Sequence, residues 1–239
     1  MQKRVSTILI LLTISLGIKA QYLIDTPYEY PVRPGSDEWA AFTTGQQMVD
    51  ACQIPTDILS KLTTKALAET CMNYPLFFQY TASNDERDGI AYMINSFNGL
   101  KELSNRKDGV IELMNIYQEM PLEPAVLSRS LHGNKTILHV GYVELLLSNE
   151  EFFQHLSSQQ DLDKLKKITL EKYQGKVANR DAYSLFGLQK SLLLGAKVLE
   201  KTDYQRKSST QQQTIKNFIK TYANSEPQLF TEISKIISE

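Results

Sequence analysis

The sequence predicts an all-α protein, an irregular multi-helix bundle that is partly solenoid-like, with stacked antiparallel helical hairpins. Three observations carry that prediction. Apolar residues recur at three-to-four spacing along most of the chain. Capping residues and prolines cut this pattern into short segments, and short connections make neighbouring helices antiparallel. Glycine, at 11 of 239 residues, is sparse for an all-β chain with many tight turns, and alternating apolar and polar runs are hard to find. With 42% hydrophobic residues there is enough apolar material for a core, which sets disorder aside. No clean period survives along the chain, so the irregular bundle ranks ahead of a regular array.

At the N-terminus, Lys3 and Arg4 precede an apolar run from Ile8 to Ile18, which Lys19 and Ala20 close. A basic start, an apolar stretch of this length and a terminal small residue describe a secretory signal over residues 1–20, cut after Ala20. The run falls short of the roughly 20 apolar residues a membrane span needs. No membrane span is therefore expected once the signal is gone. Cleavage removes three of the 26 basic residues and leaves 23 against 27 acidic ones. A mildly acidic chain without a basic cluster argues against nucleic acid as a partner.

Residues 21–35 follow as an extended arm rich in proline and tyrosine. Pro27, Pro31 and Pro34 push the residues before them towards extended geometry, and Tyr22, Tyr28 and Tyr30 could hold the arm against the domain surface. Of the two readings, a plain linker is the preferred one. Residues 36–239 then form a single helical domain, with Pro121 and Pro124 marking the place where it could subdivide. Ser36 caps a first helix, with Asp37 and Glu38 in its first turn and Trp39, Phe42, Met48 and Val49 on its buried side as far as Cys52. Pro55 opens a short helix through Ile58, Leu59 and Leu62. Thr63 or Thr64 caps the next, carrying Ala66, Leu67, Cys71 and Met72. Asn73-Tyr74-Pro75 stops it and starts the turn Leu76–Tyr80.

Asn84 is the next expected cap, ahead of one longer helix carrying Ile90, Met93, Ile94, Phe97, Leu100 and Leu103. Val110, Ile111, Leu113, Met114 and Tyr117 give the stripe of another. Between Ala125 and Leu147 the pattern is interrupted at Gly133-Asn134, and Tyr142–Leu147 reads as a buried helix or a strand, with helix preferred from context alone. Leu162, Leu165 and Ile168 belong to a charged surface helix, and Gly175 to Arg180 reads as a loop. Leu185–Leu199 is the most apolar candidate after the signal and is expected at the centre. Ile215, Phe218, Ile219 and Tyr222 mark a further helix, and Pro227 starts the last.

Several of these segments carry a resemblance. Trp39 and Phe42 (W-x-x-F), Cys52 to Pro55 (C-Q-I-P) and Thr64 to Thr70 (T-x-x-L-x-x-T) open the pattern. Asn73 to Pro75 (N-Y-P) and Phe97 to Arg106 (F-N-G-L-x-E-L-x-x-R) complete it. Together they resemble an uncharacterised helical domain of secreted proteins from Gram-negative bacteria. The resemblance covers Asp37 to Tyr117 and implies bacterial export and a helical fold. It brings no activity and no catalytic residues.

Motifs that carry chemistry are sparse. His132, His139 and His155 form no H-E-x-x-H arrangement and have no cysteine neighbours at zinc spacing. No nucleophile elbow, P-loop or dinucleotide fingerprint occurs. No catalytic residue, metal ligand or cofactor is therefore assigned. Glu150-Glu151 sits where a helix start favours acidic groups, and Asp161 and Asp163 have no calcium-loop spacing.

The two cysteines, Cys52 and Cys71, are a candidate disulfide if the chain reaches an oxidising compartment. On one straight helix, 19 residues would separate them by about 28 Å. A hairpin hinged at Pro55 and Thr63-Thr64 would bring them back together. The other reading, ranked slightly ahead, is that they are small buried thiols. The 12 tyrosines are read first as half-buried packing residues whose hydroxyls reach water, and second as a contact surface for protein or glycan. The sequence thus points to a periplasmic or secreted, non-catalytic module that binds a protein or an envelope component. The alternative is an enzyme whose site residues are dispersed.

Overall fold

In the computed structural model, which describes residues 22–122 and 131–239, helices and their caps account for nearly every element. The signal expected over residues 1–20 lies outside the described residues, as do residues 123–130. The chain is all-α, as its periodicity predicts.

The arm is pinned to the domain rather than hanging from it. Ile24 makes an isolated parallel bridge with Leu62: its N–H donates to the Lys61 carbonyl at 2.8 Å, and Thr63 N–H donates back to its carbonyl at 2.9 Å. Thr63 Oγ1 donates to the Asp25 carboxylate at 2.8 Å. Tyr28 N–H donates to Thr70 Oγ1, and the buried Tyr30 hydroxyl donates to the Thr70 carbonyl at 3.1 Å.

The first predicted helix divides in two, α1 (Asp37–Ala40) and α2 (Gly45–Ala51). Thr44 and Gln47 close a capping box, and a new cap in mid-sequence ends whatever precedes it. Next come α3 (Thr56–Leu59) and α4 (Thr64–Met72), the latter capped by Thr63 through the Ala66 N–H. A 3-10 turn, Phe77–Ala82, leads to α5 (Glu86–Ser96). Its cap is Asp85, one residue beyond Asn84, because the Asp85 carboxylate takes both the Arg87 N–H and the Arg87 guanidinium.

The expected longer helix also breaks, at Phe97, and α6 (Asn98–Asn105) follows. Two amide side chains hold the break. Gln53 donates to the Ser96 carbonyl and accepts the Asn98 N–H, while Asn98 donates to the Ile54 carbonyl and accepts the Ile54 N–H. Gly99 permits this close approach: a Cβ there would lie 2.3 Å from the Phe97 ring and 2.9 Å from Ile54.

The remaining α-helices are α7 (Gly109–Glu119), α8 (Leu131–Ser148), α9 (Glu150–Phe153), α10 (Gln159–Ala178), α11 (Arg180–Thr202), α12 (Ser209–Thr221) and α13 (Pro227–Ser238), with 3-10 turns at Tyr204–Arg206 and Tyr222–Asn224. Helix α8 runs through Gly133-Asn134, where an interruption was expected. Helix α10 likewise runs through Gly175, where a loop was expected. Two tertiary contacts explain the second difference. Leu122 sits so close to Gly175 that a Cβ there would meet it at 2.8 Å, and Lys176 reaches an acceptor inside the bundle. Helices α8 and α11 occupy the middle, and α11 packs on α8, α10, α12 and α13. From Leu188 to Leu199, Lys197 excepted, α11 is buried there with Val140, Tyr142, Val143 and Leu145–Leu147 of α8, whereas Leu185 and Phe186, expected at the centre, are exposed. One continuous cluster of buried side chains extends from Tyr30 to Ile237.

Candidate functional site

The arm and the domain together enclose a groove of about 540 Å³, within the range of roughly 300–1,000 Å³ typical of small-ligand sites. One wall is the arm, with Pro27, Tyr28, Glu29, Tyr30, Arg33 and Pro34. The other is the end of α4 and the chain that leaves it: Met72, Asn73, Tyr74, Pro75, Phe77 and Phe78. His139 of α8 also lines it.

Each wall is held by contacts that the local sequence makes possible. Tyr28 and Tyr30 meet edge to face at 5.3 Å, and burial raises the ionisation of both phenols above its ordinary value. The Arg33 Nε donates to the Tyr30 carbonyl at 2.7 Å, which fixes the base of its guanidinium at the groove. Opposite, the Tyr74 ring stacks on Phe97 at 4.1 Å, so the helix break buttresses the groove. The Phe77 ring stacks on the His139 imidazole at 3.8 Å, and His139 Nε2 lies 2.9 Å from the Met72 carbonyl. A carbonyl only accepts, so Nε2 carries the proton in this contact. Phe78 stands 45% exposed at the edge, a large apolar ring facing water.

Aromatic faces and planar polar groups set side by side can hold a ligand that is apolar on one side and polar on the other. Sequence reasoning gives Tyr28 and Tyr30 only as residues that could lay the arm on its own domain, not as ligand contacts. It missed Arg33 and Phe78, and treated His139 as ordinary core or surface. The one available signal for Arg33 was its position in a proline-rich arm, where side chains rather than backbone must do the contacting.

A second hollow, of about 310 Å³, lies between α10, α11 and α13 and is lined mainly by apolar side chains. Exposed Leu185 and Phe186 adjoin it, next to a kink at Ser184, where φ is 53°. Arg180 is the one charged residue lining it among those described.

One cluster looks chemical and is sealed. The Glu144 carboxylate accepts hydrogen bonds from Tyr117 Oη at 2.7 Å, Ser191 Oγ at 2.6 Å and Lys176 Nζ at 2.5 Å. Lys176 also donates to the Gly187 carbonyl. The Lys176 and Glu144 side chains are 1% and 0% exposed, so no substrate reaches them. Burial lowers the Lys176 pKa even though Glu144 opposes that shift, and burial, with Glu144 adding to it, drives Tyr117 well above its ordinary value. The cluster ties α7, α8, α10 and α11 together.

The many buried phenols make alkaline pH a sensitive probe. Burial raises Tyr30, Tyr80, Tyr117, Tyr142 and Tyr222 far above the ordinary 10.0 and Tyr183 to about 12. Below pH 10 both folded and unfolded chains keep these protons. Above it the unfolded chain releases them first, so stability falls as pH rises. Urea midpoints are expected to be level up to about pH 9 and to drop steeply from about pH 10 to 12. A midpoint unchanged at pH 11 would show that the phenols reach solvent.

Cys52 and Cys71 stand as free thiols, both fully buried. Burial pushes Cys52 up to about 11 and Cys71 higher still, against a weaker opposing effect of Arg106. Such thiols are poor nucleophiles at neutral pH. Thiol titration of the unfolded, unreduced protein is expected to count two thiols; a count of zero would reveal a bridge.

Of the three histidines, His139 joins the groove and His155 bonds the Ser104 carbonyl at 3.0 Å, while the side chain of His132 is outside the described set. Among the described residues, no group of three or more His, Cys, Asp or Glu is placed to hold a metal ion. Nor, among them, is any helix long and apolar enough to cross a membrane. Compared with protein-family models, with curated proteins and with solved structures, the chain matches none.

Proposed function

We propose that this chain is an exported, non-catalytic helical module that binds a protein or a component of the cell envelope through the groove between its arm and α4. The observation that carries the reading is the groove itself. It is open to solvent and walled by aromatic rings, and Arg33 and His139 are each held to a backbone carbonyl rather than joined to one another as a reacting set. The charged cluster that could do acid–base chemistry is sealed inside the bundle. Export rests on the basic, apolar and small-residue order of residues 1–20, which leaves the chain in the periplasm or outside the cell.

Two measurements test the two halves. The intact mass of protein from the envelope fraction is expected to begin at Gln21; a mass that includes residues 1–20 would overturn export. Pull-down from envelope extract is expected to retain a component with the unaltered chain and to lose it with Phe78→Ala or Arg33→Ala. Retention of nothing, together with turnover of an envelope substrate, would replace binding with catalysis.

A further inference from the structure

We infer that the groove takes a neutral saccharide chain, an inference that rests on the binding-module reading above and names its ligand class. Charge is the first argument. Glu29 and Arg33 are the only permanently charged residues lining the groove among those described, and they cancel. An ionic ligand would meet one repelling group for each attracting one.

Hydrogen-bonding capacity is the second. A sugar hydroxyl both donates and accepts, so its site needs both kinds of partner within a short distance. The guanidinium of Arg33 supplies donors, the carboxylate of Glu29 supplies acceptors, and the side chain of Asn73, exposed at the end of α4, supplies both. Because Arg33 is held through Nε to the Tyr30 carbonyl, the rest of its fork stays directed without being spent on the anchor.

Aromatic surface is the third. A pyranose ring presents a face of C–H groups, which rest well on the electron-rich face of an aromatic ring. Phe78, at 45% exposure, and the half-buried Tyr28 offer such faces on opposite walls.

A peptide fits the arm less well. Adding a strand needs a row of backbone donors, and Pro27, Pro31 and Pro34 have none. The Tyr28 N–H between them is already given to Thr70. Recognition at this wall therefore runs through side chains, the mode that suits a hydroxyl-rich ring.

The test uses protein recovered from the envelope fraction and an array of neutral oligosaccharides built from glucose, mannose, galactose and N-acetylglucosamine. Uronate-containing oligosaccharides and a peptide library run alongside. At least one neutral oligosaccharide is expected to bind, and calorimetry should show Phe78→Ala and Arg33→Ala each weakening it by about tenfold or more. Leu185→Ala, at the other hollow, is expected to change nothing, and all three positions are exposed enough for the variants to keep the wild-type melt. Binding confined to acidic oligosaccharides, binding indifferent to the groove variants, or no neutral binding would each overturn the inference. Groove-dependent binding of peptides alone would remove the saccharide and leave the binding module standing. If no probe and no retained envelope component responds to the groove variants, both readings fall.

Discussion

Lys176→Met is expected to destabilise the folded chain by about 3–5 kcal/mol. The lysine is 1% exposed and its Nζ lies 2.5 Å from the Glu144 carboxylate, which is fully buried. Removing only the cation leaves a carboxylate inside the bundle with nothing but the Tyr117 and Ser191 hydroxyls to satisfy it. The penalty is the burial of an uncompensated charge rather than the loss of a favourable pair, and the double variant separates the two. With Glu144→Leu added, the charge is gone, and the loss should be smaller than the sum of the two single losses. It should not vanish, because two hydroxyls then lack an acceptor, at about 1–3 kcal/mol each. Urea denaturation at neutral pH gives all three values. A loss under about 1 kcal/mol for Lys176→Met would show that no uncompensated charge is left behind, and would overturn this account of the cluster.

Phe97→Ala is expected to cost about 3–5 kcal/mol, the usual range for removing a buried phenyl ring. Phe97 is fully buried, stacks on Tyr74 at 4.1 Å and lies 6.4 Å from the Tyr30 ring. It therefore supports both walls of the groove from beneath as well as marking the α5–α6 break. Besides lowering the urea midpoint, its truncation should leave an apolar void behind Tyr74. A loss below about 1 kcal/mol would show that neighbouring rings collapse into that space.

What the sequence made legible follows the range of the forces involved. Ser36, Thr63 and Pro227 were readable as helix starts because a cap acts within three or four residues of itself, or, for proline, within its own ring. The break at Phe97 was not readable, since Gln53 and Asn98 hold it from 43 to 45 residues apart. Helix α10 continues past Gly175 for the same reason: Lys176 answers to Glu144, 32 residues earlier. A propensity argument sees the glycine and cannot see the carboxylate. The groove divides along the same line. The proline-rich arm was legible, with Tyr28 and Tyr30 as residues that could lie on the domain, but the opposite wall depends on bonds such as His139 to Met72, 67 residues apart. Only the folded chain brings those residues to one place.

The way the arm is attached has a consequence for hydrogen exchange. Its hold on the domain is a single two-bond bridge at Ile24 and a few hydrogen bonds to Thr63 and Thr70, with Tyr30 as the buried anchor. A segment held by so few contacts opens at a lower free energy than the bundle beneath it, so the amides of Ile24, Tyr28 and Thr63 should exchange before those of α8 and α11. Tyr28, Glu29, Tyr30 and Arg33 form one side of the groove and travel with the arm. A molecule seated across both sides binds only the closed form. At a hundredfold excess over its Kd it would slow exchange at those amides by an amount equivalent to about 2.7 kcal/mol. Protection of the arm amides thus becomes a titration curve for the groove, readable before its ligand has been identified.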